Sequence, residues 1–235
     1  MNLKTQFGSV AVLLSVVSLA SGQGTFQNLN FESPITPLNG VGSPPTVPST
    51  DAFPGWVGFV GTNQAARVRI DGVNLDVATL ALVRSNVQIP SFAPLIQGSY
   101  TAVLQPQITP DLPPDHLVSV ALGQSALVPT DSLSLQFLAY TAGTPFAVTL
   151  GGVNIPIVDL ATFPSYHLYG GDISALAGSV AELRFTAFPN NYPRSTVFAL
   201  DSIQFSNQPI PEPSVFGLFA LGALLLGCSR SHTFG

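Results

Sequence analysis

The chain contains very little cysteine, methionine, tryptophan and charge. Each of these three residue types occurs once, and charged residues make up 8% of the 235 positions. The only cysteine, Cys228, lies in an apolar segment near the C-terminal end, which excludes a disulfide bond within the chain. The rest of the chain is long enough to bury a hydrophobic core without disulfides.

Basic residues are also scarce. The only lysine is Lys4, and the basic residues between positions 23 and 210 are Arg67, Arg69, Arg84, Arg184 and Arg194. Acidic residues outnumber them, and the formal net charge of the chain is −5. Because nucleic-acid phosphates are bound by clustered lysines and arginines, we expect no nucleic-acid partner.

Sequence motifs of catalysis are missing. The chain has no Gly-x-Ser-x-Gly elbow, no His-Glu-x-x-His pair and no glycine loop for phosphate. A glycosidase needs two carboxylates that face a cleft, and Glu32 and Glu182 are the only glutamates between residues 23 and 210. We therefore expect that the protein is not an enzyme and has no catalytic residue. A secreted hydrolase is the least favoured alternative.

The first 22 residues have the pattern of a secretory signal peptide. Lys4 is followed by an apolar run at 10–20 and then by small residues. This pattern predicts export and cleavage by signal peptidase after Ala20 or Gly22. The run is too short for a membrane span, which needs about twenty apolar residues.

The C-terminal end carries a second apolar segment. Pro211-Glu212-Pro213 precedes an uncharged run at 215–228, and Arg230 follows it. As a helix the run would be about 21 Å long, short for a hydrocarbon layer of roughly 30 Å. Its apolar residues surround the helix, whereas a helix packed on a core shows one apolar stripe. A retained anchor and a packed C-terminal helix stay open as alternatives.

This arrangement resembles the PEP-CTERM tail, a sorting signal of bacteria that carry an exosortase. The resemblance implies processing by an exosortase-type membrane protease near Pro211, Glu212 and Pro213. It also implies transient inner-membrane anchoring, with Arg230 for retention, and then delivery to the cell surface or an exopolysaccharide matrix. The chain departs from the family in having one basic residue after the apolar run, where several are usual.

Between the terminal segments, the pattern predicts an all-β domain over 23–206, followed by the sorting tail over 207–235. Proline and glycine are frequent, and short segments alternate apolar and polar residues. The predicted strands are 25–31, 55–60, 67–70, 99–105, 116–128 with a bulge near Gly123, 132–139, 146–150, 153–160, 165–169, 180–188 and 196–205. Segment 75–84 fits a strand or a helical turn, 33–55 is predicted as loop, and 172–178 is predicted as one short helical turn.

Several short segments are similar to galactose-binding-like jelly rolls, the fold of many carbohydrate-binding modules. They are 30–32, 54–56, 169–178, 182–185 and 199–205. The resemblance implies a jelly-roll type β-sandwich and a possible structural Ca²⁺ held by Glu32 and Asp201, since hard cations prefer carboxylate oxygens. The alternative for Asp201 is a turn cap or an ion pair with Arg184. No other cofactor is expected.

The leading expectation is thus a non-enzymatic exported β-sandwich at the cell surface or in the extracellular matrix. A carbohydrate-binding module that recognises a polysaccharide is the alternative. Sugar rings stack on exposed aromatic side chains, and Tyr192 lies in a polar loop beside Asn190, Asn191 and Arg194. Trp56, with Val57 and Phe59 around it, is expected in the core.

Overall fold

The computed structural model describes residues 24–42, 45–73, 77–84, 95–108, 116–190 and 197–210. Within these residues the chain is mostly β-sheet, and two large sheets pack face to face. The predicted all-β sandwich is therefore confirmed. The predicted signal peptide and the C-terminal sorting helix lie outside the described residues.

In the described part of the chain, one sheet has eight strands and the other has six. The eight-stranded sheet has, in spatial order, β1 (Thr46–Pro48), β4 (Arg67–Ile70), β5 (Thr79–Arg84), β6 (Tyr100–Gln105), β16 (Phe198–Ser206), β10 (Ser134–Thr141), β14 (His167–Asp172) and β13 (Val158–Thr162). The six-stranded sheet has β12 (Val153–Asn154), β11 (Phe146–Leu150), β15 (Val180–Ala187), β9 (Val120–Leu127), β2 (Val57–Val60) and β3 (Asn63–Gln64). A small additional sheet pairs β7 (Gln107–Ile108) with β8 (Leu117–Val118).

Alternating side chains explain the strands of the six-stranded sheet. In β15 the buried residues are Ala181, Leu183, Phe185 and Ala187, every second position of the strand. Strands β11 and β12 are joined through Gly151-Gly152, whose φ angles are +61° and +78°. Glycine adopts positive φ without steric cost, so the predicted two-residue hairpin forms here.

The main core lies between the two sheets and is rich in aromatic rings. Phe137 of the eight-stranded sheet meets Phe185 of the six-stranded sheet with 5.1 Å between ring centroids. Phe146 and Phe198 also stack across the interface, at 4.7 Å. Aromatic burial of this kind supplies much of the stability of a small sandwich.

A second apolar cluster covers the opposite face of the eight-stranded sheet. We call it the outer cluster; its buried members are Ala81, Val83, Ile96, Val103, Leu138, Val197 and Ala199. Strands β5, β6 and β16 are therefore buried on both faces over much of their length. Such strands lose the apolar–polar alternation from which strands are usually recognised.

The outermost strands of both large sheets resist pairing with another chain. Strand β1 is three residues long and ends in Pro48, while β3 and β12 have two residues each. Strand β13 is longer, but its pairing is irregular between Asp159 and Ala161. Short length, proline and a bulge with a nearby charge are known protections of edge strands.

The predicted first strand at 25–31 is wrong. Only Thr25 forms a bridge, to Leu127, and Asn28 and Phe31 have φ angles of +48° and +57°. An extended strand cannot contain such residues. Phe31 nevertheless reaches the main core, where it is fully buried, so the apolar residues of this segment are buried without strand pairing.

The prediction of a continuous loop at 33–55 is also wrong. The segment contains β1 and a helical turn, α1 (Ser49–Ala52), which begins directly after Pro48. Proline fixes φ near the helical value and is compatible with a helix start. With the 3₁₀ turn Ser174–Leu176, the described residues contain two helical turns rather than the one predicted.

Three further predictions need correction. Segment 153–160 belongs to two strands in different sheets, β12 and β13. The interruption in 116–128 lies at Ser119, and the pairing of β9 with β15 is regular through Gly123. The ambiguous segment 75–84 is a strand from Thr79 onward.

Candidate functional site

Glu32, one of the two predicted calcium ligands, binds backbone amides. Its Oε1 accepts hydrogen bonds from the N–H of Ser99 at 2.7 Å and of Tyr100 at 3.0 Å. Gly98 lies so close that an added Cβ would be 2.2 Å from the same oxygen. The carboxylate thus holds the chain at the start of β6.

Asp201, the other predicted ligand, binds the same segment, 97–101. Its Oδ2 accepts hydrogen bonds from the Gln97 N–H at 3.1 Å and the Thr101 hydroxyl at 3.2 Å. Its Oδ1 accepts the Ser202 N–H at 2.6 Å. The two acids are therefore brought together on one segment of chain, which we call the clasp (residues 97–101 with the carboxylates of Glu32 and Asp201).

A bulge in β16 places Asp201 on the outer face of its sheet. The pairing with β10 shifts between Gln136 and Leu138, and Ser202 has a φ of +49°. Because of the extra residue, Ile203 points into the main core although Asp201 faces away from it.

Asp201 as a whole residue is 1% exposed. Burial raises its pKa to about 6, and the hydrogen bonds from Gln97, Ser202 and Thr101 oppose this increase. Burying an ionised carboxylate is costly unless donors surround it, and the clasp supplies those donors.

Calcium binding at Glu32 and Asp201 stays a prediction. Among the described residues, no group of three or more His, Cys, Asp or Glu side chains is arranged to hold a metal ion. Oε1 of Glu32 and Oδ2 of Asp201 each accept two hydrogen bonds from residues 97–101. Asp201 makes no contact with Arg184, whose guanidinium lies over the ring of Phe59 at 4.0 Å.

The predicted sugar-binding loop is described only at Asn190. Its side-chain amide donates to the Gly143 carbonyl at 2.9 Å and so ties the end of β15 to the turn after β10. Asn191, Tyr192 and Arg194 lie outside the described residues, and their role stays a prediction.

Trp56 belongs to the core, as expected from its sequence. It is 3% exposed, and its indole N–H donates to the carbonyl oxygens of Gln27 and Asn28 at 3.2 Å each. Its ring packs on Phe31 and Phe185. Trp56 therefore offers no surface on which a sugar could stack.

A polar group that the sequence did not reveal lies at the edge of the eight-stranded sheet. The Nδ1 atom of His167 is 2.6 Å from Oδ2 of Asp159 and 3.3 Å from the hydroxyl of Thr162. The imidazole stacks on Tyr169, with 5.6 Å between centroids. Burial and the charge of Asp159 raise the pKa of Tyr169, so its hydroxyl stays protonated.

The signal for this group was the pairing of two predicted strands, 153–160 and 165–169. Pairing them through the intervening turn would have placed the two segments side by side, although the predicted bounds put Asp159 opposite Tyr166 and the observed register puts it opposite Tyr169. The bulge between Asp159 and Ala161 leaves no clear trace in the sequence.

The predicted sorting motif Pro211, Glu212, Pro213 and Arg230 lies outside the described residues. The residues just before it run along the outer face of the eight-stranded sheet, where the Ser134 hydroxyl donates to the Gln208 carbonyl at 2.7 Å. Within the described ranges, no helix is both long and apolar enough to span a membrane.

Comparisons with known proteins add little. No protein-family model and no curated protein matches the chain. Among solved structures, one match is TmCBM61, a carbohydrate-binding module in complex with β-1,4-galactotriose. The two share 13% sequence identity with a TM-score of 0.43, over 77% of this chain and 96% of that one. A likeness of this extent carries no argument about function.

Proposed function

We propose that the chain is a non-enzymatic, exported β-sandwich protein of jelly-roll type that acts at the cell surface or in the extracellular matrix. A signal peptide over 1–22 directs export, and the tail from residue 207 anchors the protein in the inner membrane for a time. An exosortase-type protease then cleaves near Pro211, Glu212 and Pro213. Arg230 retains the tail on the cytoplasmic side.

The observation that carries this proposal is the order of features in the tail: motif, uncharged run at 215–228, then Arg230. The fold is compatible with that order. After β16 ends at Ser206, the next three residues are exposed, and Ile210 is half-buried. The last described residues before the motif thus lie at the surface of the sandwich.

Localisation of tail variants tests this proposal. We expect wild-type protein in the surface or matrix fraction, and retention inside the envelope for Glu212→Ala and for a deletion of 215–230. Thermal unfolding should be the same for all three proteins. Glu182→Ala is the matched control, since this glutamate lies on the six-stranded sheet and should not affect sorting. Unchanged surface localisation of the deletion variant contradicts the proposal.

Polysaccharide binding is the second candidate function. The observation that favours it is the group of half-exposed polar side chains around His167, which offers hydrogen-bonding atoms with no described partner. Saccharide hydroxyls are recognised by a few convergent polar groups of this kind. Retardation of the protein in native gels that contain matrix polysaccharide, absent in gels without it, tests this function.

A further inference from the structure

The bulge in β13 brings three polar side chains to one face of the sheet edge. Asp159 pairs with Tyr169 and Thr162 pairs with His167, with the pairing shifted between Asp159 and Ala161. On a regular strand, residues 159 and 162 would point to opposite faces because side chains alternate. The extra residue reverses this, so both side chains lie on the face that carries His167. Bulges are frequent where a side chain must be redirected toward a site.

Stacked rings fix the position of His167. Its imidazole lies on Tyr169 with an interplanar angle of 23°, and Tyr169 lies on Phe137 with an angle of 27°. Phe137 is fully buried, and the Tyr169 hydroxyl shares a hydrogen bond with Thr141. The rings therefore form a column from the main core to the surface. A site ordered in advance loses less entropy when a ligand binds.

Hydrogen bonds fix the direction of the imidazole. The carboxylate of Asp159 faces Nδ1, which assigns the proton of the neutral ring to that nitrogen. Nε2 then carries a lone pair, and no described residue lies within hydrogen-bond distance of it. Oδ1 of Asp159 likewise has no partner in the described part of the chain. The side chains of His167 and Asp159 are 34% and 42% exposed, so water or a ligand reaches both.

The chemistry of these groups selects the class of ligand. Asp159 brings a negative charge to this group, which disfavours anionic ligands such as uronates or sulfated sugars. Two metal-binding side chains are too few for a metal ion, and no third lies with them among the described residues. Nε2, Oδ1 and the Thr162 hydroxyl can together accept and donate hydrogen bonds to neighbouring hydroxyl groups.

We propose that Asp159, Thr162 and His167 form a binding site for the hydroxyl groups of a neutral saccharide. The outward face of the imidazole, at the end of the ring column, packs against the sugar ring. This inference rests on polysaccharide binding, the second candidate function above, and adds the site and the charge class of the ligand.

Affinity electrophoresis of the exported protein tests the site. The probes are neutral polysaccharides of defined composition (glucan, galactan, mannan and xylan) and one uronate polymer. The probe that gives the largest retardation is then titrated by calorimetry. We expect retardation by a neutral polymer but not by the uronate, and a loss of affinity of tenfold or more in Asp159→Ala and in His167→Ala.

The matched control is Phe163→Ser. Phe163 lies at the tip of the same hairpin, is 40% exposed, and stacks on Tyr166, whose ring packs on the outer cluster. It therefore faces away from the site, and its variant should bind within twofold of wild type. Equal melting temperatures of all variants confirm that the hairpin is folded.

Two results overturn the proposal in different ways. Wild-type binding that survives both Asp159→Ala and His167→Ala shows that the polysaccharide is bound elsewhere, for which Tyr192→Ala is the next test. Absence of retardation by every polymer, including the matrix polysaccharide, removes polysaccharide binding itself. Neither result affects the proposal on export and sorting.

Discussion

The two faces of the eight-stranded sheet are both covered by apolar side chains, yet the covering differs in chemistry. The main core holds stacked aromatic rings supplied by two sheets. The outer cluster is smaller and lies beside the clasp, in which two carboxylates hold residues 97–101. Burial of hydrocarbon stabilises the first face at any pH. The second face depends on hydrogen bonds to acids, one of them buried, and is therefore sensitive to substitution and to pH.

The largest effect is expected in the main core. Phe185→Ala removes a fully buried ring that contacts Phe137 and Trp56, and should lower the free energy of unfolding by about 3–5 kcal/mol. Urea unfolding followed by the fluorescence of Trp56, the only tryptophan, measures it. The exposed Phe163→Ala should cost less than about 1 kcal/mol. Equal losses would mean that the main core is not the principal source of stability.

The next effect concerns the buried acid of the clasp. The pKa of Asp201 in the folded protein is about 6, above its usual value of 3.8. The folded state then binds the proton more tightly than the unfolded chain. The contribution of Asp201 to stability is full below pH 4 and decreases as the pH rises to 6, by roughly 3 kcal/mol.

Asp201→Asn removes this titration. Relative to Asp201→Asn, we expect the free energy of unfolding of the wild type to be lower at pH 6 than at pH 4. Asp172→Asn is the control, because the pH dependence of stability expected from Asp172 has the opposite sign. Hydrogen bonds from Ser174 lower the pKa of Asp172, so its stabilisation is lost only as the pH falls below 4. A flat difference for Asp201→Asn from pH 4 to 6 rules out a raised pKa.

Alanine substitutions at two adjacent glycines of β14, Gly170 and Gly171, compare the two faces of the eight-stranded sheet directly. A Cβ on Gly171 would lie 2.8 Å from the carbonyl oxygen of Pro156, so backbone has to move, and Gly171→Ala should cost about 1–3 kcal/mol. A Cβ on Gly170 would meet the terminal methyl groups of Ile210 and Leu160 at 2.6 and 2.7 Å. These can turn away, so Gly170→Ala should cost less than about 1 kcal/mol. Thermal unfolding of both variants measures the two losses of stability. A larger loss in Gly170→Ala than in Gly171→Ala would contradict this interpretation of the two faces.

A small effect is expected at the exposed end of the clasp. Glu32→Ala leaves the N–H groups of Ser99 and Tyr100 to water, and should cost about 1 kcal/mol. Hydrogen exchange of the Tyr100 amide should become faster. Glu182→Ala, at a glutamate with no hydrogen-bond partner in the described residues, should change neither quantity. An unchanged exchange rate in Glu32→Ala would show that Glu32 does not hold the segment.

Strands could be predicted where one face meets the core and the other meets solvent. Strands β11 and β15 show that alternation, and their predicted bounds differ from the observed ones by one residue at most. Segment 75–84 stayed ambiguous because β5 is buried on both sides by the main core and the outer cluster. Segment 25–31 was predicted as a strand from its apolar residues. Phe31 is buried as the pattern suggests, but the segment contains positive φ angles and is therefore not an extended strand.

The candidate sites were partly predictable. The resemblance to jelly rolls singled out Glu32 and Asp201, and the structure does bring both to residues 97–101. Their oxygens bind backbone amides that are far away in the sequence, and no local pattern encodes such contacts. The group around His167 depends on a bulge and on strand pairing, so its residues looked unrelated in the sequence.

Intact mass spectrometry of the protein recovered from the producing cells and their medium tests the central claim most directly. Export and sorting predict a mass that lacks residues 1–20 or 1–22 and that ends near Pro211. A mass that retains residues 215–235 would contradict the claim, because the apolar run would then be a permanent anchor or a packed helix and not a removable signal.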